Sequence, residues 1–157
     1  MNVAQTTVWL LIGLWVSAFT SATLLPGSSE IVLGTLWWQG LNIFLIWSVA
    51  TFGNVCGSMI NWWLGTQVHR FSQRRWFPVT PVQLEKAQVH FDRFGTPALL
   101  LTGLPLIGDP LTVAAGVFRV SFLKTILLIF IAKGGRYALL LVMADEWLKP
   151  LINTTAG

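Results

Sequence analysis

The chain has 157 residues, 54% hydrophobic and 10% charged, with a formal net charge of +4. Soluble domains carry about 25% charged residues, so this composition excludes an ordinary soluble fold and points to a membrane. One cysteine, Cys56, and two histidines, His69 and His90, leave neither a disulfide framework nor a metal motif, and basic residues that flank apolar spans serve lipid headgroups and topology better than nucleic acid.

The first apolar tract runs roughly over residues 8–39. Its start could be read as a signal peptide, but it has no basic leader and its apolar stretch is long, so it is expected to be retained. Pro26-Gly27-Ser28-Ser29 interrupts it, and Glu30 follows as the only charged side chain in the first 68 residues. Ser28 or Ser29 can cap a half-helix beginning at Glu30, where a carboxylate is favoured. Trp37 and Trp38 read as an interfacial pair, which puts Glu30 roughly 10 Å deeper in the bilayer. A full span over residues 8–25 with Glu30 at the surface is second choice, because it leaves residues 29–66 too long for one span.

The second tract, roughly 41–66, contains no charge and is long enough to cross. Gly53, Gly57 and Gly65 permit close helix contact there, and Asn61 can bond across an interface. In the linker, residues 67–95, Thr80-Pro81-x-Gln83 forms a capping box. Leu84, Ala87, Phe91 and Phe94 make one apolar stripe, and Gly95 is the stop. This predicts an amphipathic helix on the membrane surface, joining two halves rather than capturing substrate.

The third tract, roughly 96–118, is broken by Pro105 and by Gly108-Asp109-Pro110, read as N-cap Asp109 and N1 Pro110. Asp109 lies roughly 15 Å deeper than Arg119, which marks an interface. The last tract, roughly 120–147, is long enough to span but carries Lys133 and Arg136 near its centre, three residues apart and so on one face.

Leu25-Pro26-x-x-x-Glu30 and Leu104-Pro105-x-x-x-Asp109 share a pattern 79 residues apart, and the same offset pairs Asn54 with Lys133 and Gly57 with Arg136. The expected fold is therefore an all-α integral membrane protein of one domain, residues 1–157. Two inverted repeats, about 8–66 and 96–147, each combine a re-entrant hairpin with a transmembrane helix. Lys and Arg placement puts residues 67–95 in the cytoplasm and both termini outside. Each intramembrane charge costs about 2.5–3.5 kcal/mol in isolation, and Glu30, Asp109, Lys133 and Arg136 sum to zero. They are expected to gather in one shielded pocket, with Asn54 facing it. Such groups commonly mark a substrate or proton route, whereas the competing reading makes them static fasteners between helices.

Three stretches, "SATLLPGSSEIVL" at 21–33, "FGNVCGSMINWWLG" at 52–65, and "RFGTPALLLTGLPLIGDPLTVAAGVFRVS" at 93–121 continuing to "KGGRY" at 133–137, resemble the DedA superfamily of VTT-domain membrane proteins, nearest its short YqaA-type branch. The resemblance implies lipid translocation between leaflets of the bacterial inner membrane, of a phospholipid or polyprenyl phosphate, coupled to protons and supporting envelope homeostasis. The family's arginines three residues either side of the second hairpin proline are replaced here by Thr102 and Gly108. The expected route residues are Glu30, Asp109, Lys133, Arg136 and Asn54, and the re-entrant turns are Pro26, Gly27, Ser29, Pro105, Gly108 and Pro110. Expected partners are membrane lipids and protons, with self-association open, and no nucleic acid, cofactor or metal. An assembly or stress factor is the alternative. Hydrolysis has little support, since no Gly-x-Gly-Asp, His-Glu-x-x-His or Gly-x-Ser-x-Gly motif occurs.

Overall fold

The computed structural model describes residues 3–22, 28–67, 79–105 and 107–148. All regular structure among them is helical. Helix α1 is Val3–Ser21, α2 is Ser28–Trp38 and α3 is Ile43–Thr66. Helix α4 is Pro81–Phe94, followed by a 3-10 segment, Thr96–Gly103. Helix α5 is Gly108–Val117, and α6 is Phe122–Met143, whose end widens into a π turn, Ala144–Leu148.

Two of these are long and apolar enough to cross a membrane, Ile43–Thr66 and Phe122–Trp147. Their side chains are distributed the opposite way from a soluble helix. Thr125, Ile129, Lys133 and Tyr137 are buried, whereas Leu123, Leu127, Ile131 and Leu139 are exposed. A soluble protein would aggregate through such a face, and in a bilayer it meets acyl chains. Helices α2 and α5, of 11 and 10 residues, rise only about 15 Å and cannot cross. Helix α1, with 19 residues, is longer than a half-depth arm needs to be.

The turns that link each short helix to the following long one repeat in register. After α2, the amides of Gln39, Gly40 and Leu41 donate to the carbonyls of Thr35, Trp37 and Leu36. After α5, those of Phe118, Arg119 and Val120 donate to Ala114, Gly116 and Ala115. Each partner is displaced by 79 residues. Both are C-terminal caps that need a left-handed residue, supplied by Gly40 at φ 77° and by Arg119 at φ 54°. Asn42 and Ser121 then precede α3 and α6 with similar dihedrals.

Helices pack where side chains are smallest. Helix α1 lies against Gly53 and Gly57 of α3, where an added Cβ would meet the Trp15 and Phe19 carbonyl oxygens. Gly65 and Gly116 bring α3 and α5 into backbone contact. These are the packing roles expected of the α3 glycines. Asn61 bonds across the interface as expected, its amide donating at 2.6 Å to the Ala22 carbonyl just past the end of α1.

Several local expectations are corrected. The apolar tracts beginning near residues 8 and 41 form helices that start at Val3 and Ile43. Ser28 and Ser29 lie inside the first turn of α2 and are not its caps. Helix α5 begins two residues early, at Gly108, so Asp109 and Pro110 are first-turn residues and not N-cap and N1. The segment before Pro105 winds as a 3-10 helix. The linker helix keeps its capping box, with the Gln83 amide donating to Thr80 Oγ1 and the Thr80 amide to Gln83 Oε1. Of its apolar stripe, Ala87 and Phe91 bury against the 3-10 segment and α5, with Leu84 partly covered, while Phe94 is exposed.

Candidate functional site

Every expected charged residue finds a partner of opposite sign. Lys133 Nζ lies 3.5 Å from Asp109 Oδ1, and Arg136 Nη1 lies 3.3 Å from Glu30 Oε1. The helical spacing Ile129, Lys133, Tyr137 turns Lys133 inward, so its side chain is only 5% exposed. Arg136, one residue short of Tyr137, lies at the edge of this buried face and caps the Tyr137 ring at 5.0 Å. The two acids stand in the first turns of α2 and α5, where the helix dipole favours them.

The charges form two pairs, not one cluster, and neutral polar groups join them. Lys133 Nζ donates to Asn54 Oδ1 at 2.5 Å. The Asn54 amide donates to Tyr137 Oη and to Ser21 Oγ, both at 2.9 Å. Tyr137 Oη shares a 2.7 Å hydrogen bond with Ser29 Oγ, which also accepts from Ser21. Ser29 adjoins Glu30, and Glu30 pairs back to α6 through Arg136. The result is a closed polar circuit through α1, α2, α3, α5 and α6. Buried polar groups are normally satisfied, yet Asp109 Oδ1 and Arg136 Nε have hydrogen-bonding capacity that no described residue takes up.

Lys133 is thus brought to Asp109 and Asn54, and Arg136 to Glu30, in two groups where a single pocket was expected. Ser29, expected in a turn, is instead a buried member of the circuit. Pro26 and Gly27 lie outside the described residues. Pro105 is exposed, whereas Gly108 and Pro110 are buried at the start of α5. Gly108 packs directly on the Thr102 backbone, leaving no room for a Cβ. The two positions where arginines were replaced therefore touch each other, and an arginine at 108 could not fit this packing.

Sequence reasoning missed Tyr137, the hub of the circuit, which is fully buried. The signal available was that the chain's sole tyrosine sits four residues after Lys133. It also missed Ser21, seen only as a small residue. The tryptophans, assigned no chemistry, include two tethers. Trp47 donates to the Gly134 carbonyl and Trp62 to that of Val120, fastening α3 to α6 and its entry turn. Beside Trp47, a cavity of about 520 Å³ is lined by apolar side chains of α3 and α6, with Asp145 and Glu146 at its edge.

The VTT domain family matches residues 25–146. The inner membrane protein YqaA of Escherichia coli is 37% identical over 130 residues, covering 81% of this chain and 85% of that protein, and YqaA of Shigella flexneri matches equally. An uncharacterized protein of Haemophilus influenzae is 32% identical over 145 residues, covering 86% of this chain and 87% of its own. No solved structure matches.

Proposed function

The chain belongs to the VTT-domain, or DedA, family of membrane proteins, and on that premise we propose that it moves a lipid between leaflets of the bacterial inner membrane with proton coupling. One observation carries this reading: two acid–base pairs joined by a buried polar circuit inside a shell of exposed apolar side chains. Ionisable groups at membrane depth are costly and mark substrate or ion routes. Lys133 and Arg136 would draw a lipid phosphate inward, and Glu30 and Asp109 would release them on protonation. The spare capacity of Asp109 Oδ1 and Arg136 Nε suits a group that exchanges partners during a cycle.

In this reading the halves are inverted repeats, entering the bilayer from opposite faces with the linker in the cytoplasm and both termini outside. Asn54 and Lys133, equivalent by the 79-residue offset and bonded to one another, would then lie on the internal two-fold axis. Lys133 would be reachable from Asp109 in one state and from Glu30 in the other.

A fastening role for the charges is the second reading, favoured by the mutual pairing of all four. Purified protein in liposomes, with a labelled lipid followed between leaflets across a pH gradient, separates the two. Glu30→Gln, Asp109→Asn and Arg136→Ala are expected to stop movement while the protein still folds. Unimpaired movement in all three variants overturns the route and leaves fasteners. No movement by the parent overturns transport itself.

A further inference from the structure

A second cavity lies between α4 and the start of α5, apart from the paired charges. It has a volume of about 230 Å³ and is lined by Gln83, Lys86, Ala87 and His90 of α4 and by Ile107 and Pro110 at the α5 entry. The α4 residues fall at spacings of three, four and seven, so they share one face. Its polar lining contains no carboxylate; Glu85 and Asp92 on the same helix are not among the lining residues.

Two of its side chains are held at one end by the helix itself. The Gln83 Oε1 is engaged by the Thr80 amide and hydroxyl, which leaves the side-chain NH2 as its remaining hydrogen-bonding group. The His90 Nδ1 is 2.8 Å from the Lys86 carbonyl, which can only accept, so Nδ1 carries the proton and Nε2 is the free ring position. Lys86, between them in sequence, lines the same cavity. A lysine, a glutamine and a histidine thus line one wall of the cavity, and Ile107 and Pro110 at the α5 entry line the other. Residues 107 and 110 flank Asp109, so a single turn of α5 separates the cavity from the Lys133–Asp109 pair.

We propose that this cavity binds the phosphate of an anionic ligand, a waiting site for a lipid headgroup before it reaches the paired charges. Lys86 supplies the charge, Gln83 a second donor, and His90 Nε2 bonds either a phosphate hydroxyl or a headgroup hydroxyl. The role as a stop on the transport route rests on the proposed function, whereas phosphate binding itself does not.

Native mass spectrometry of the full chain in detergent measures this directly. Dioctanoyl phosphatidic acid is titrated, with dioctanoylglycerol and inorganic phosphate as separate arms. Lys86→Gln is expected to weaken phosphatidic acid binding about tenfold, the loss of one charge-assisted hydrogen bond. Arg93→Gln, which removes the same charge from the same helix away from the cavity, is expected to change it less than twofold. Dioctanoylglycerol is expected not to bind, and phosphate to displace phosphatidic acid. Phosphatidic acid binding tighter than phosphate assigns the site to a lipid, and equal affinity assigns it to a free anion; both support the phosphate chemistry. Equal losses in the two variants, or binding of dioctanoylglycerol, overturn it. If Lys86→Gln weakens binding while the parent moves no lipid, the cavity stands and the transport reading falls.

Discussion

The two halves of the chain reach close packing by opposite means. In the N-terminal half the glycines sit on the long helix: Gly53 and Gly57 of α3 receive the backbone of α1. In the C-terminal half the equivalent places on α6 are Ala132 and Arg136, and the glycine, Gly103, has moved to the 3-10 segment that lies on Ala132. The partner elements differ accordingly, a 19-residue α-helix in one half and an eight-residue 3-10 segment in the other. Where α1 presses on α3, position 57 has no room for a side chain. Where the short segment stops, position 136 is open, and an arginine extends from it to Glu30. Arg136 belongs to the second half because there the long helix is left uncovered at that position, whereas Lys133 and its counterpart Asn54 are both buried.

Placing an arginine at the closed position should break this comparison most severely. Gly57→Arg would force α1 off α3, an overpacking cost of about 3 kcal/mol or more, and should eliminate the monodisperse peak on size-exclusion chromatography. Arg136→Gly should remain folded on the same column. A monodisperse Gly57→Arg protein would show that α1 yields easily.

Next in size is a swap across the shared bond. Lys133→Asn strands Asp109 without its cation and should cost about 3 kcal/mol, read as a lower midpoint in tryptophan-monitored thermal unfolding. Adding Asn54→Lys to that variant should recover much of the loss, because the ammonium returns to nearly the same point from the other helix. No recovery would mean that the place of the lysine along α6, rather than its charge, is what matters.

The smallest effects sharpen the comparison at the two turns. Arg119 accepts a left-handed backbone for which Gly40 needs no accommodation, and space around Gly40 is open. Arg119→Gly should therefore stabilise and Gly40→Arg destabilise, each by about 1 kcal/mol, measured as opposite shifts in the same unfolding midpoint.

Much of this was legible in the sequence because the membrane restricts the choices. The two long helices follow from uncharged or nearly uncharged runs, and the capping box fixed the linker helix start at Pro81. The pairing of Glu30, Asp109, Lys133 and Arg136 followed from the expense of leaving any of them alone. What was not legible depended on rotation about a helix axis or on neighbours distant in sequence. Nothing local distinguishes Ser29 as a cap from Ser29 as a buried partner of Tyr137, a contact across 108 residues. The 3-10 winding of Thr96–Gly103 was likewise hidden, since its run of Leu and Ala is good α-helix material until Gly103 must seat on Ala132.

The hydrogen bond between Lys133 and Asn54 also constrains ancestry. Had the fold arisen from two identical half-length chains assembling as a homodimer, this meeting point would have faced lysine with lysine or asparagine with asparagine. Two ammonium groups at hydrogen-bonding distance would repel, so a symmetric forebear could hold only the neutral pair. In that case a lone positive charge would have become tenable there only once fusion let the copies diverge.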